Sequence, residues 1–146
     1  MDYLTSFEIS AAGMNFERLR ADVASANLAN MHTTRSLQGG PYKPLRAVAG
    51  AGAVPASFEN HMSAAALEAG GPPSAEVREM PIPARMVYEP GHPDADEKGF
   101  VAYPNITLVS EMVNLMTATR SYEANVSAMN AAKAMALKAL DIGGNR

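Results

Sequence analysis

Few residues in this 146-residue chain have the types and spacing to do chemistry, and most of them sit in His92-Pro93-Asp94-Ala95-Asp96-Glu97. An imidazole and three carboxylates in so short a run are groups that bind a divalent ion. The spacing of His92, Asp94 and Asp96, however, matches neither an EF-hand loop nor a His-x-x-x-His helix pair. Pro and Asp are what turns use, and the run reads as a solvated turn. His32 and His61 stand far apart in sequence and read as structural or surface residues. There is no Gly-x-Ser-x-Gly nucleophile elbow. Gly50-Ala51-Gly52 lacks the third glycine and the following helix of a phosphate-cradling loop. The absence of cysteine excludes a disulfide framework, a thiolate zinc site and a Cys nucleophile. This predicts no enzyme, no catalytic residue, no cofactor and no resident metal; the competing reading is a metal-dependent enzyme using His92, Asp94 and Asp96.

Charge and hydropathy narrow the partners. A net charge of -3 with few clustered Lys or Arg argues against nucleic acid. No run approaches the ~18 uninterrupted apolar residues of a membrane span, so no membrane insertion is expected. The segment Met1-Asp2-Tyr3-Leu4-Thr5-Ser6-Phe7-Glu8 has no basic region, and Glu8 interrupts any apolar run, so no cleaved secretory signal is expected.

Proline placement organises the chain. All ten prolines fall between Pro41 and Pro104, and a proline inside a helix costs about 3 kcal/mol. Residues 2–30 are therefore predicted to form one helix, capped by Asp2, with Ile9, Ala12, Phe16, Leu19, Val23 and Ala26 on a single stripe. A neighbouring stripe carries Leu4, Phe7, Ala11 and Met14. The C-terminal segment repeats apolar residues more regularly still. Leu108, Met112, Leu115, Thr119, Tyr122, Val126, Met129, Lys133, Ala136 and Leu140 alternate spacings of four and three, a coiled-coil-like seam. Thr107 can cap this helix, Glu111 suits the positive end of its dipole, and Gly143-Gly144 supplies a stop. Lys133 costs stability in such a seam unless it is paired or snorkels. At 1.5 Å per residue the helices would run roughly 42 and 50 Å.

Three segments follow: an N-terminal helix over 1–32, a Pro/Gly-rich middle over 33–104, and a C-terminal helix over 105–146. The middle is expected to hold short strands, within Tyr42–Val48 and Val77–Tyr88, with flexible loop at Ala49–Ala56 and Ala64–Ser74. The fold class predicted is mainly α, the two long helices pairing as an antiparallel coiled-coil-like hairpin. Two helices present more apolar face than they cover on each other, which points to helices from other subunits. Ile9, Phe16, Leu19, Val23, Met112, Leu115, Tyr122, Val126 and Met129 are the residues assigned to this assembly seam. A cytoplasmic helical adaptor or export chaperone fits the same pattern as a folded dimer.

Five segments carry a family resemblance. Ser25-Ala26-Asn27-Leu28-Ala29-Asn30-Met31-His32-Thr33-Thr34 resembles the Asn-rich signature of bacterial flagellar axial proteins, with Asn27, Asn30 and Thr33 at the motif positions. Asn27 and Asn30 are expected to end the helix, because Asn tolerates left-handed backbone and competes for backbone partners. The stretches Glu111–Leu115 and Arg120–Val126 resemble the paired C-terminal helix of those proteins. Gly39–Lys43 and His92–Asn105 resemble the proximal rod protein of the FlgC type. The resemblance implies a structural subunit of the flagellar rod that leaves the cytoplasm through the type III export apparatus without a cleaved signal and crosses the periplasm. The partners it implies are further copies, rod subunits of the FlgB, FlgF and FlgG types, the rod-base adaptor FliE and the MS ring.

Overall fold

The computed structural model describes residues 3–37, 39–50 and 74–144. Its elements are α1 (Tyr3–Ala29), β1 (Leu45–Gly50), β2 (Ser74–Glu79), β3 (Arg85–Tyr88), β4 (Phe100–Tyr103) and α2 (Leu108–Gly144). The two helices pack against each other, with short strands between them in sequence. Their 27 and 37 residues make rods of about 40 and 55 Å. No helix among the described residues is long and apolar enough to cross a membrane. Asp2, His61 and residues 64–73 of the loop expected at Ala64–Ser74 lie outside the described residues, as do residues 51–56 of the loop expected at Ala49–Ala56.

Two compact units make up the chain: Arg20–Ala47 with Val77–Thr117, and Met1–Leu19 with Val48–Glu76 and Ala118–Arg146. In the first unit Val23, Ala24 and Val101 are buried, with Pro44 and Pro104. Val101 is fully enclosed and lies opposite half-buried Val87 in the antiparallel β3–β4 hairpin. Alternation along the strands then turns Met86, Tyr88 and Phe100 outward. Asp96 builds the connecting turn, its carboxylate accepting from the Lys98 and Phe100 N–H groups at 2.9 and 2.8 Å. Gly99 completes it at φ +80°, with no room for a side chain beneath the Tyr88 ring.

The short strands expected within Val77–Tyr88 are β3 and the second half of β2, which starts earlier, at Ser74. Pro81 and Pro83 supply no N–H to a ladder, and the Ile82 N–H instead turns back to the Met80 carbonyl at 2.8 Å. Strand β2 pairs with β1 in a separate two-stranded sheet. That pairing continues beyond the strands where the Met80 N–H donates to the Pro44 carbonyl at 2.8 Å. Ala49 and Gly50, expected to be loop, belong to β1, and Ser74, expected to end the second loop, opens β2. Strand β4 carries no proline and was not anticipated; four residues are too few for a periodic signal.

In the second unit α1 meets α2 at Gly13. A Cβ there would stand 3.0 Å from the Asn125 Nδ2, so the missing side chain is the space the Asn125 amide fills. Ala118 is fully buried nearby in sequence. The α2 positions drawn inward along this unit are Ala118, Ser121, Asn125, Val126, Met129, Ala132 and Ala136, a face dominated by small and polar residues. Large side chains at Met135, Leu137 and Leu140 remain exposed.

Candidate assembly interface

The first helix ends through side-chain chemistry. The Asn30 N–H donates to the Ala26 carbonyl at 3.1 Å, and its Nδ2 reaches the same oxygen at 2.9 Å. Thr33 Oγ1 donates to Asn30 Oδ1 at 3.2 Å. No described non-glycine residue has positive φ, so Asn30 stops the helix by capping its carbonyls rather than by entering left-handed backbone.

Asn27 lies inside the helix, one turn earlier, and is 2% exposed. Its Nδ2 donates to the Leu45 carbonyl at 2.9 Å and to Glu111 Oε2 at 3.3 Å. Its Oδ1 accepts from the Leu45 N–H at 2.9 Å and from the Tyr42 hydroxyl at 3.1 Å. A carboxamide has two donor hydrogens and two acceptor lone pairs, and all four are used. One side chain thus joins α1, the start of β1, the loop before it and the first turn of α2. Burial, and then the nearby Glu111 charge, raise the Tyr42 pKa above its ordinary value. The Tyr42 hydroxyl therefore stays protonated and able to donate.

Beyond the helix, Thr34 Oγ1 donates to Asp94 Oδ2 at 2.8 Å, and Arg35 Nε lies 3.4 Å from Asp94 Oδ1. Tyr103 sits edge-on to both His32 and His92, with ring centroids 6.4 and 6.3 Å apart. Its hydroxyl donates to Glu89 at 2.9 Å, the main cause of its raised pKa. A cleft of about 310 Å³ lies here, lined by Thr34, Arg35, Pro41, Pro93, Asp94 and Val101 among others.

His92, Asp94 and Asp96 are engaged in local structure. His92 Nδ1 accepts from the Asp94 N–H at 3.1 Å, Asp94 is held by Thr34 and Arg35, and Asp96 caps the hairpin turn. Among the described residues no three His, Asp or Glu side chains gather as a metal-ligand set.

The residues assigned to the seam divide by exposure. Val23 is buried, and Phe16, Leu19, Leu115, Val126 and Met129 are half-buried. Ile9, Met112 and Tyr122 are 58%, 50% and 40% exposed, and Lys133 is exposed. Met112 belongs to a face that also carries Val109, Val113 and Met116, all at least half exposed. The spacing of these four puts them on one side of the first turns of α2. Sequence reasoning saw Tyr42 as a strand residue and Glu111 as a dipole partner. Neither has a local signal for meeting Asn27, because the contacts span 15 and 84 residues.

Comparison with known proteins places this arrangement. Residues 97–142 match the family model described as flagellar basal body rod FlgEFG protein C-terminal. The chain is 39% identical over 143 residues to the flagellar basal-body rod protein FlgC of Escherichia coli O6:H1, covering 98% of this chain and 99% of that one. It is 42% identical to FlgC of Bacillus subtilis, over 94% of this chain and 96% of the relative. Against FlgC of Borreliella burgdorferi the identity is 35%, over 97% and 98% of the two chains. Near-complete coverage in both directions, at such identity in three distant bacteria, makes this chain a member of the flagellar basal-body rod protein FlgC family.

Proposed function

We propose that the chain is a structural subunit of the proximal rod of the flagellar basal body, polymerising through its terminal helices to transmit torque. The observation that carries this reading is the exposed stripe Val109, Met112, Val113 and Met116 on a helix that already packs against α1. Covering one such side chain completely is worth about 1.5–3 kcal/mol. Four of them, each about half exposed, offer roughly 4 kcal/mol to a neighbouring helix. The seam Ile9, Phe16, Leu19, Val23, Met112, Leu115, Tyr122, Val126 and Met129 then serves both hairpin and lattice.

An antiparallel hairpin is the arrangement proposed for the helices. Its support is that the contacts Gly13–Asn125 and Asn27–Glu111 advance by the same step, from 13 to 27 on α1 and from 125 back to 111 on α2. In this reading 1–32 and 105–146 form the rod wall, and 33–104 makes lateral contacts. Neighbours are further copies and the rod subunits of the FlgB, FlgF and FlgG types, with FliE and the MS ring at the base. The subunit travels through the type III export apparatus without a cleaved signal.

Replacing Val113 and Met116 together by Asp tests the proposal. Both are more than half exposed, so the subunit's own packing should survive while the covered lattice contact does not. In a strain lacking its own copy, the wild-type chain should restore rods and swimming and the double variant should not. Normal rods from the double variant would refute assembly through this face.

A further inference from the structure

We propose that Asn27 is an ordering lock that closes within a single chain: its carboxamide couples the start of β1 to the start of α2, so that both gain order in one step. Every hydrogen-bonding position of the amide is filled by this chain's own atoms, without any contribution from a neighbour. The partners lie 18 and 84 residues away in sequence, so local folding of either segment does not bring the other into place. Both sets of bonds share one buried group that is 2% exposed. A buried polar group left half-satisfied costs more than the bond it loses, which makes partial closure unfavourable and joins the two events.

The chemistry demands this residue type. Aspartate matches the shape and keeps the acceptors for Leu45 N–H and Tyr42, but it replaces both donor hydrogens by a charged oxygen. That oxygen would face the Leu45 carbonyl at about the 2.9 Å now spanned by a hydrogen bond, and Glu111 at 3.3 Å. Glu111→Gln would supply an amide hydrogen to the new carboxylate and restore the α2 half of the lock.

Amide hydrogen exchange read by mass spectrometry on the purified full-length chain tests the coupling, in peptides covering 42–47 and 108–117. Both regions should be protected in the wild type. Asn27→Asp should speed both by at least about tenfold. Adding Glu111→Gln to Asn27→Asp should recover protection at 108–117. Glu111→Ala supplies the decisive readout, because Glu111 meets Asn27 rather than β1, and the lock requires faster exchange at 42–47 as well. That variant also carries the test if Asn27→Asp does not fold. The lock is overturned if Glu111→Ala loosens 108–117 alone, if Asn27→Asp moves neither region, or if both regions exchange freely in the wild type.

Discussion

Replacing Gly13 with alanine sets two measurable effects against each other. Glycine in a helix interior is about 0.8–1 kcal/mol less favourable than alanine, so α1 should gain that much from the substitution. The added Cβ would stand 3.0, 3.1 and 3.2 Å from Nδ2, Oδ1 and Cγ of Asn125. Ordinary contact needs several tenths of an ångström more, so the Asn125 amide must move. That amide is tied to the Ser121 carbonyl by a 3.0 Å hydrogen bond, a net contribution of about 1 kcal/mol that the movement weakens. The single variant should consequently lie within about 0.5 kcal/mol of wild type, the helix gain being offset by the displaced amide. With Asn125→Ala in the background the obstruction is gone, and Gly13→Ala should stabilise by close to the full ~1 kcal/mol. Urea unfolding followed by helical circular dichroism on the four chains of this cycle measures the coupling. Equal stabilisation in both backgrounds would refute the argument that Gly13 exists to admit Asn125.

Two further perturbations follow from the same geometry. Tyr42→Phe should cost about 1 kcal/mol through loss of the bond to Asn27. Because its folded pKa is raised, the phenol's contribution is fully present below the unfolded pKa near 10 and is lost as pH rises through the higher folded value. Stability measured by urea titration should therefore fall on the alkaline side more steeply in wild type than in Tyr42→Phe. Gly99→Ala should lower the thermal midpoint, since left-handed backbone costs an L-residue about 1–2 kcal/mol and its Cβ would press to 2.9 Å on Tyr88 Cε2. An unchanged midpoint would mean that the β3–β4 turn rearranges freely.

The helices were legible because a proline-free run of apolar periodicity has few other solutions, and both ends of the chain carry one. Short strands within Val77–Tyr88 were legible, but not that Pro81 and Pro83 separate strands belonging to two different sheets. Apolar periodicity picks out Val23, which is buried, and Phe16, Leu19, Leu115, Val126 and Met129, which are half-buried. It does not single out Gly13 and Asn125, which meet between the helices, while Met112 and Tyr122 on the predicted seam are exposed. Small residues permit that approach and leave no hydrophobic signal. The Asn-rich signature was visible as a motif, and its helix-ending half belongs to Asn30. Asn27 was misread locally as a second terminator, because its partners Leu45 and Glu111 are brought in only by tertiary folding. His92, Asp94 and Asp96 show the reverse case. Their residue types advertise chemistry, while their bonds to neighbouring backbone, Thr34 and Arg35 describe a turn and a latch.

The proposed assembly requires another rod subunit to cover the exposed face of α2 that carries Met116. A chain without cysteine permits a clean probe of it, since Met116→Cys introduces one thiol on that face, at a position 57% exposed. Basal bodies purified from a strain carrying only this variant should be treated with a short thiol-to-amine cross-linker and separated on a denaturing gel. A cross-linked species containing this chain and a rod subunit is expected, and it should be absent when the thiol is placed at buried Ala118. Recovery of the chain solely as uncross-linked monomer from intact rods would contradict it.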